Sequence, residues 1–151
     1  MAEYIVNVKA IGIDDVTRKL GEAKERMKDL SPALKKGVNV MLRSIQKNFK
    51  SGGRPEKWTP LKPATSLFKA KHRYSSLPLT RSGNLQNSVV AAAGFRGKNR
   101  LIIGTSIPYG AVHQFGYSPR KIPKRPYLIF QDEDLLKIER LIVSHITGTR
   151  I

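Results

Sequence analysis

The stretch of sequence that decides the fold is SPALKKGVNVMLRSIQKNF, residues 31–49. Its apolar residues recur every three or four positions, which is the spacing of one face of an α-helix. Ser31 and Pro32 predict where this helix begins, because a serine side chain caps free backbone amides and proline fits the first turn. The apolar face consists of Leu34, Val38, Met41, Leu42, Ile45 and Phe49. We therefore expect a long helix that packs into the core.

The preceding residues predict another amphipathic helix. Asp14 and Asp15 come first, and acidic side chains stabilise the positive end of a helix dipole. Because an apolar stripe is far more often part of the core than a functional groove, we expect this helix to pack against the long helix that follows it. Further upstream, alternating apolar and polar residues over 5–9 predict a short strand. The apolar stripe of the helix is Val16, Leu20, Ala23, Met27 and Leu30.

The residues after the long helix are rich in glycine and proline, which predicts an extended loop over 50–80. This loop holds the only tryptophan, Trp58. Its large ring either covers an edge of the core or inserts into a neighbouring chain, and core cover is the more common arrangement.

The later elements complete an α+β domain. Apolar runs at 90–95 and 100–104 flank a turn and predict an antiparallel pair. Pro108 predicts a short helix that ends at Gly116, and residues 132–146 predict a third long helix. We expect one domain over 1–151, in which two N-terminal helices and a C-terminal helix pack on a small antiparallel sheet with long basic loops. Residues 148–151 are expected to form a flexible tail.

Composition excludes several classes of protein. The chain of 151 residues has no cysteine, which rules out disulfides, thiol catalysis and cysteine-based metal sites. Charges interrupt every apolar run before the roughly 18 to 20 residues that a spanning helix needs, so we expect no membrane insertion. The N-terminus lacks the pattern of a signal peptide.

Charge is concentrated in the middle of the chain. The formal net charge is +17, and residues 57–131 contain 13 Lys and Arg but no Asp or Glu. This pattern predicts a positive surface that meets phosphate, anionic lipid or an acidic protein, or is simply solvated. The basic surface is expected to include Lys57, Lys62, Lys69, Lys71, Arg73, Arg120 and Lys121.

No pattern of an enzyme stands out. The turn at 51–54 lacks the Gly-Lys-Ser/Thr ending of a phosphate-binding loop. His72, His113 and His145 lack the spacing of metal ligands. We expect no catalysis, no cofactor, no metal and no small-molecule substrate.

A series of short motifs carries a family resemblance. They are Gly53 and Pro55 followed by WTPL at 58–61, LTRSGNL at 79–85 with Ser88, IGT at 103–105, PYGAVHQFG at 108–116 and IPKRPYL at 122–128. In order and spacing, over about residues 49–146, they resemble the phage virion morphogenesis family. That family includes the tail completion proteins of Mu-like and related contractile-tailed phages. The chain departs from the pattern at Gly110, where the family more often has alanine.

The resemblance implies a structural protein that acts in tail completion or head–tail joining, as a ring-forming subunit at the tail end or neck. The implied partners are further copies of the chain and phage tail tube or neck and connector proteins, with packaged DNA as a further contact. The implied location is the virion, after synthesis in the host cytoplasm. The basic middle segment also fits an alternative, a sequence-independent nucleic-acid-binding module.

A ring subunit offers different faces to its two neighbours, and the loop around Trp58 and the loop from Arg120 to Pro126 are suited to bridging them. His113 and Gln114 either fix the following loop by local hydrogen bonds or contact a neighbour. Arg125, held between two prolines, either docks on a carboxylate or phosphate or is solvated. The candidate interface residues are Trp58, Leu61, Tyr109, His113, Gln114, Phe115, Lys124, Arg125 and Pro126.

Overall fold

The computed structural model describes residues 11–91, 94–95 and 97–149. The predicted strand at 5–9 and the last two residues of the predicted tail lie outside the described residues. The helices are α1 (Ile13–Met27), α2 (Ser31–Ser51), α3 (Pro63–Lys71), α4 (Asn84–Ala91), α5 (Tyr109–Phe115) and α6 (Asp132–Thr147). Two short strands, β1 (Gly94–Phe95) and β2 (Leu101–Ile102), pair antiparallel. The predicted α+β class is confirmed. No described helix is long and apolar enough to cross a membrane.

The long helix α2 begins one residue earlier than expected. The prediction that Ser31 caps it is wrong, because Ser31 is its first residue and its hydroxyl donates instead to the Lys98 carbonyl. Pro32 lies in the first turn, as predicted. At the other end, the left-handed backbone of Gly52 (φ 70°) terminates the helix.

The core forms around the C-terminal half of α2. Phe49 lies between Trp58, which it meets edge to face at 5.7 Å between ring centroids, and Tyr127, at 5.5 Å. Trp58 is buried, which confirms that it covers the core. The buried apolar cluster comprises Ile45, Phe49, Trp58, Leu85, Val89 and Tyr127.

Helix α6 takes the place beside α2 that the sequence assigns to α1. It packs against α2, and the Ser44 hydroxyl donates to the carboxylate of Asp134 in the first turn of α6. Helix α1 packs against the far end of α6, where Arg26 Nη1 donates to the Ile146 carbonyl at 3.3 Å.

The predicted burial of the α1 stripe is therefore wrong. No residue of α1 is buried, and Val16, Leu20 and Met27 are 57%, 66% and 48% exposed. The stripe is present, and Ala23 and Leu30 are half-buried, but the residues that the structure describes leave the rest of it exposed.

The prediction of an extended loop over 50–80 is also wrong in part, because α3 interrupts it at Pro63. A proline at the start of a helix is favourable, since its missing amide would be unpaired there anyway. The short helix α5 after Pro108 and the third long helix α6 are confirmed, and Gly148 terminates α6 in a left-handed conformation.

Asn48 ties three segments of the chain together. It is fully buried in α2, and its Nδ2 donates to the carbonyls of Tyr127 (3.1 Å) and Ile129 (3.0 Å). Its Oδ1 accepts a hydrogen bond from Arg54 Nε at 2.9 Å. One side chain therefore pairs polar groups of the segment after α5 and of the turn after α2.

Replacing Asn48 by alanine should leave these buried partners unpaired and lower the free energy of unfolding by about 2–4 kcal/mol. The exposed neighbour Lys47 is the matched control, and Lys47→Ala should change it by less than about 0.5 kcal/mol. Urea unfolding followed by Trp58 fluorescence measures both. Equal stability of the two variants would contradict the role assigned to Asn48.

Candidate functional site

Gln114 joins α5 to the segment that follows Arg125. Its Oε1 accepts hydrogen bonds from the amides of Tyr127 and Leu128, both at 3.0 Å, and its Nε2 donates to the Leu128 carbonyl at 3.3 Å. The amide of Arg125 donates to the carbonyl of His113 at 2.8 Å. Gln114 therefore fixes the following loop locally, as the first of the two hypotheses predicts. A contact of this pair with a neighbouring subunit stays a prediction.

The loops around Trp58 and Arg125 hold each other. Arg125 is only 7% exposed, so the alternative of a solvated guanidinium is wrong. Its Nε donates to the carbonyl of Thr59 at 3.0 Å and its Nη2 to that of Pro60 at 3.1 Å. In return, Trp58 Nε1 donates to the Pro126 carbonyl at 3.0 Å. The two segments expected to bridge subunits form one unit within the chain.

A cavity of about 640 Å³ lies between four parts of the chain. They are helix α3, the segment that precedes α4, helix α5 and Arg125. Four of the candidate interface residues line it: Leu61, Tyr109, His113 and Arg125. The structure thus brings together residues that are up to 64 positions apart in the chain. Gln114, Lys124 and Pro126 are not part of this lining.

Lys69 also lines the cavity, and its predicted place on the basic surface is wrong. Its side chain is buried, at 4% exposure, and Nζ donates to the Leu77 carbonyl at 2.6 Å. Burial lowers the pKa of Lys69. The other basic residues assigned to the surface are exposed, namely Lys57, Lys62, Lys71, Arg73, Arg120 and Lys121.

His113 is half-buried on the cavity wall. Its Nδ1 is buried and has no hydrogen-bond partner within the part of the chain that the structure describes. Burial, and then the positive charge of Arg125, lower the pKa of His113 from its usual value of 6.5. The fold therefore favours the neutral imidazole over the charged one.

The remaining candidates divide between surface and interior. Phe115 is 74% exposed, and Tyr109 and Lys124 are exposed as well. Pro126 is half-buried beneath the Trp58 ring nitrogen that bonds to it. Among the interface residues proposed from the sequence, Tyr109, Phe115 and Lys124 are therefore the ones with exposed side chains, and their contact with a neighbouring subunit stays a prediction.

Sequence reasoning missed an aromatic and cationic group at the cavity. The Arg81 guanidinium carbon lies 5.1 Å from the centre of the Phe68 ring and 5.3 Å from that of Tyr74, within range of cation–π attraction. The signal was weak, because these residues belong to a segment interpreted as loop. Among the described residues, no group of three or more His, Asp or Glu could hold a metal ion.

Comparison with known proteins gives two similarities. The family model described as the phage virion morphogenesis family matches residues 11–147. The chain is also similar to the Mu-like prophage FluMu G protein 2 of Haemophilus influenzae, with 27% identity over 135 residues, which cover 86% of this chain and 88% of the relative. No solved structure matches the chain.

Gly110 should resist replacement by alanine. A Cβ at this buried position would lie 2.8 Å from Tyr127 Oη and closer still to Thr105 Cγ2. Gly110→Ala should therefore lower the free energy of unfolding by about 1–3 kcal/mol. Gly21→Ala is the control, because a Cβ at this position of α1 meets open space. It should raise the free energy of unfolding by about 0.5–1 kcal/mol. Urea unfolding that gives both changes the same sign would contradict this account.

His113 should make stability depend on pH. Because its pKa is lower in the folded than in the unfolded chain, the unfolded chain binds more protons below pH 6.5. The stability associated with His113 is therefore complete above pH 6.5 and is lost as the pH falls from 6.5 through the folded pKa. We expect His113→Asn to lose less stability than the native chain over that interval in urea unfolding. A parallel loss in both chains would show that His113 does not titrate in this way.

Proposed function

The chain belongs to the phage virion morphogenesis family, and from this premise we propose that it is a ring-forming subunit that completes the tail or joins head and tail. The family has a structural role in the assembly of phage particles. The similarity to a protein of a Mu-like prophage supports the same origin for this chain. Within the phage particle, we propose that the chain lies at the tail end or the neck.

The main observation in favour of a ring is the apolar face of α1, which the described residues leave exposed. Ile13, Val16, Leu20 and Met27 follow one side of the helix, and each is about half exposed or more. Helical spacing places them together, so they form one stripe and not scattered contacts. Monomeric soluble proteins seldom leave a stripe of this kind in water, which favours a protein partner for it.

A second exposed apolar group lies on a different part of the chain. Phe115, Tyr109 and Tyr117 are 74%, 45% and 43% exposed at α5 and just after it. A ring needs two different, complementary faces on every subunit, because each subunit contacts its two neighbours through unlike surfaces. The α1 stripe and the α5 group supply two such faces, and we propose that they meet between adjacent copies.

The second candidate function is sequence-independent binding of nucleic acid. Six exposed basic residues and the absence of any acid in residues 57–131 favour it. With phosphate contacts of this type, the logarithm of the binding constant falls linearly with the logarithm of the salt concentration.

Light scattering should detect a discrete multiple of the 16.9 kDa chain at both about 0.1 M and about 1 M NaCl, because apolar contacts resist screening by salt. Leu20→Gln should shift the mass toward the monomer. Glu25→Gln, on the opposite face of α1, is the control and should leave the assembly intact. A native chain that is monomeric at both salt concentrations would contradict self-association, and a Leu20→Gln variant with the same mass as the native assembly would contradict the role of α1.

Titration with two DNA duplexes of unrelated sequence tests the second function separately. Nucleic-acid binding predicts equal affinity for both and a steep loss between about 0.05 M and 0.2 M NaCl. Replacing the exposed pair Arg120 and Lys121 by glutamine should reduce the slope by about 2 if both contact phosphate. An affinity weaker than about millimolar at the lower salt concentration would remove this candidate.

A further inference from the structure

The 640 Å³ cavity gathers positive charge without a counter-charge. Lys69, Arg81 and Arg125 line it, and none of its lining residues is acidic. No carboxylate can come from a nearby position in the chain, because residues 57–131 contain none. Cationic groups in a concave site with low-dielectric walls attract anions more strongly than the same groups on an open surface.

The two most buried charges have donors left to use. Lys69 donates one hydrogen bond, to Leu77, although an ammonium group carries three N–H donors. The two bonds of Arg125 use Nε and Nη2, so its Nη1 amino group takes no part in them. Burying cations without an opposite charge costs free energy, and a bound anion would offset that cost.

His113 contributes its ring to the cavity wall. Its Nδ1 is buried and has no partner in the described chain, so a ligand in the cavity does not reach this atom. The ring therefore shapes the cavity, and Lys69, Arg81 and Arg125 supply the donors for an anion.

Most of the remaining lining is apolar or aromatic, and Thr65 and Ser82 add two hydroxyl groups. Phe68, Tyr74 and Tyr109 are partly exposed and contribute ring surface to the lining. A volume of about 640 Å³ is much larger than a lone inorganic ion and has the size of a small-ligand site. The ligand that fits is therefore an anionic group attached to an apolar or aromatic one.

We propose that this cavity binds a carboxylate of a protein partner, carried by a side chain or chain terminus next to an apolar residue. A protein carboxylate is favoured over a nucleic-acid phosphate because Lys69 and Arg125 lie deep, at 4% and 7% exposure. A projecting side chain can reach them, whereas the backbone of a duplex contacts exposed residues such as Lys71. The proposal goes beyond ring formation, since it holds for a monomer as well.

The probe for this site is 3-phenylpropionate, which joins a carboxylate to an aromatic ring. Its neutral amide, 3-phenylpropionamide, is the matched probe without charge. In NMR titrations of the full chain, we expect the carboxylate to bind about tenfold more tightly than the amide, with shifts at Phe68, Tyr74 and His113.

Arg81→Gln should weaken binding of 3-phenylpropionate about fivefold, because it removes an exposed cation of the lining without opening the core. Lys69→Met, which keeps the length of the apolar stem, should weaken it at least as much. Lys71→Gln is the control on the same helix, outside the lining, and should leave the affinity unchanged.

Three results would overturn the proposal. The first is equal affinity for the carboxylate and its amide, and the second is an equal loss of affinity in Arg81→Gln and Lys71→Gln. The third is tighter binding of inorganic phosphate or a short oligothymidylate than of 3-phenylpropionate at the same residues, which would assign the cavity to a phosphate ligand. None of these depends on whether the chain forms rings, so failure here and failure of the assembly function are distinguishable.

Discussion

The structure depends on the pairing of buried polar groups at the C-terminal end of α2. Backbone groups of the segment around Tyr127 have no regular strand or helix to satisfy them, so Asn48 and Gln114 supply their partners from two sides. Phe49 fills the space between Tyr127 and Trp58 at the same level. Polar pairing and aromatic packing coincide there, and irregular segments thereby form a core beside a sheet that has two short strands among the described residues.

This arrangement keeps the loops in place while leaving apolar surface elsewhere. Trp58 and Arg125 are used inside the chain, where each bonds to a carbonyl of the other's segment. The stripe of α1 and Phe115 have no such use within the described chain, and they are available for neighbouring subunits. In a structural protein of a phage particle, surfaces that are unfavourable in the monomer are expected to be covered on assembly.

The sequence predicted the elements with strong local signals and failed where tertiary packing decides. Helix α6 carries acids in its first turn and Gly148 at its end, and both signals act locally. The stripe on α1 was identified correctly, but periodicity shows which face is apolar and not whether anything covers it. The sequence places Lys69 on the basic surface and leaves Arg125 either docked on an anion or solvated, whereas both are buried against carbonyls of loops that no sequence pattern brings together. The family resemblance indicated a role in phage assembly, but it did not predict how these residues are arranged.

Electron microscopy of the purified chain tests the central claim most directly, that its uncovered apolar faces close on one another. The account predicts closed rings of a single subunit number with a central opening, because contacts between unlike faces form a ring when the rotation from one subunit to the next closes after a full turn. A field of particles no larger than the monomer, or open filaments of variable length, would contradict it.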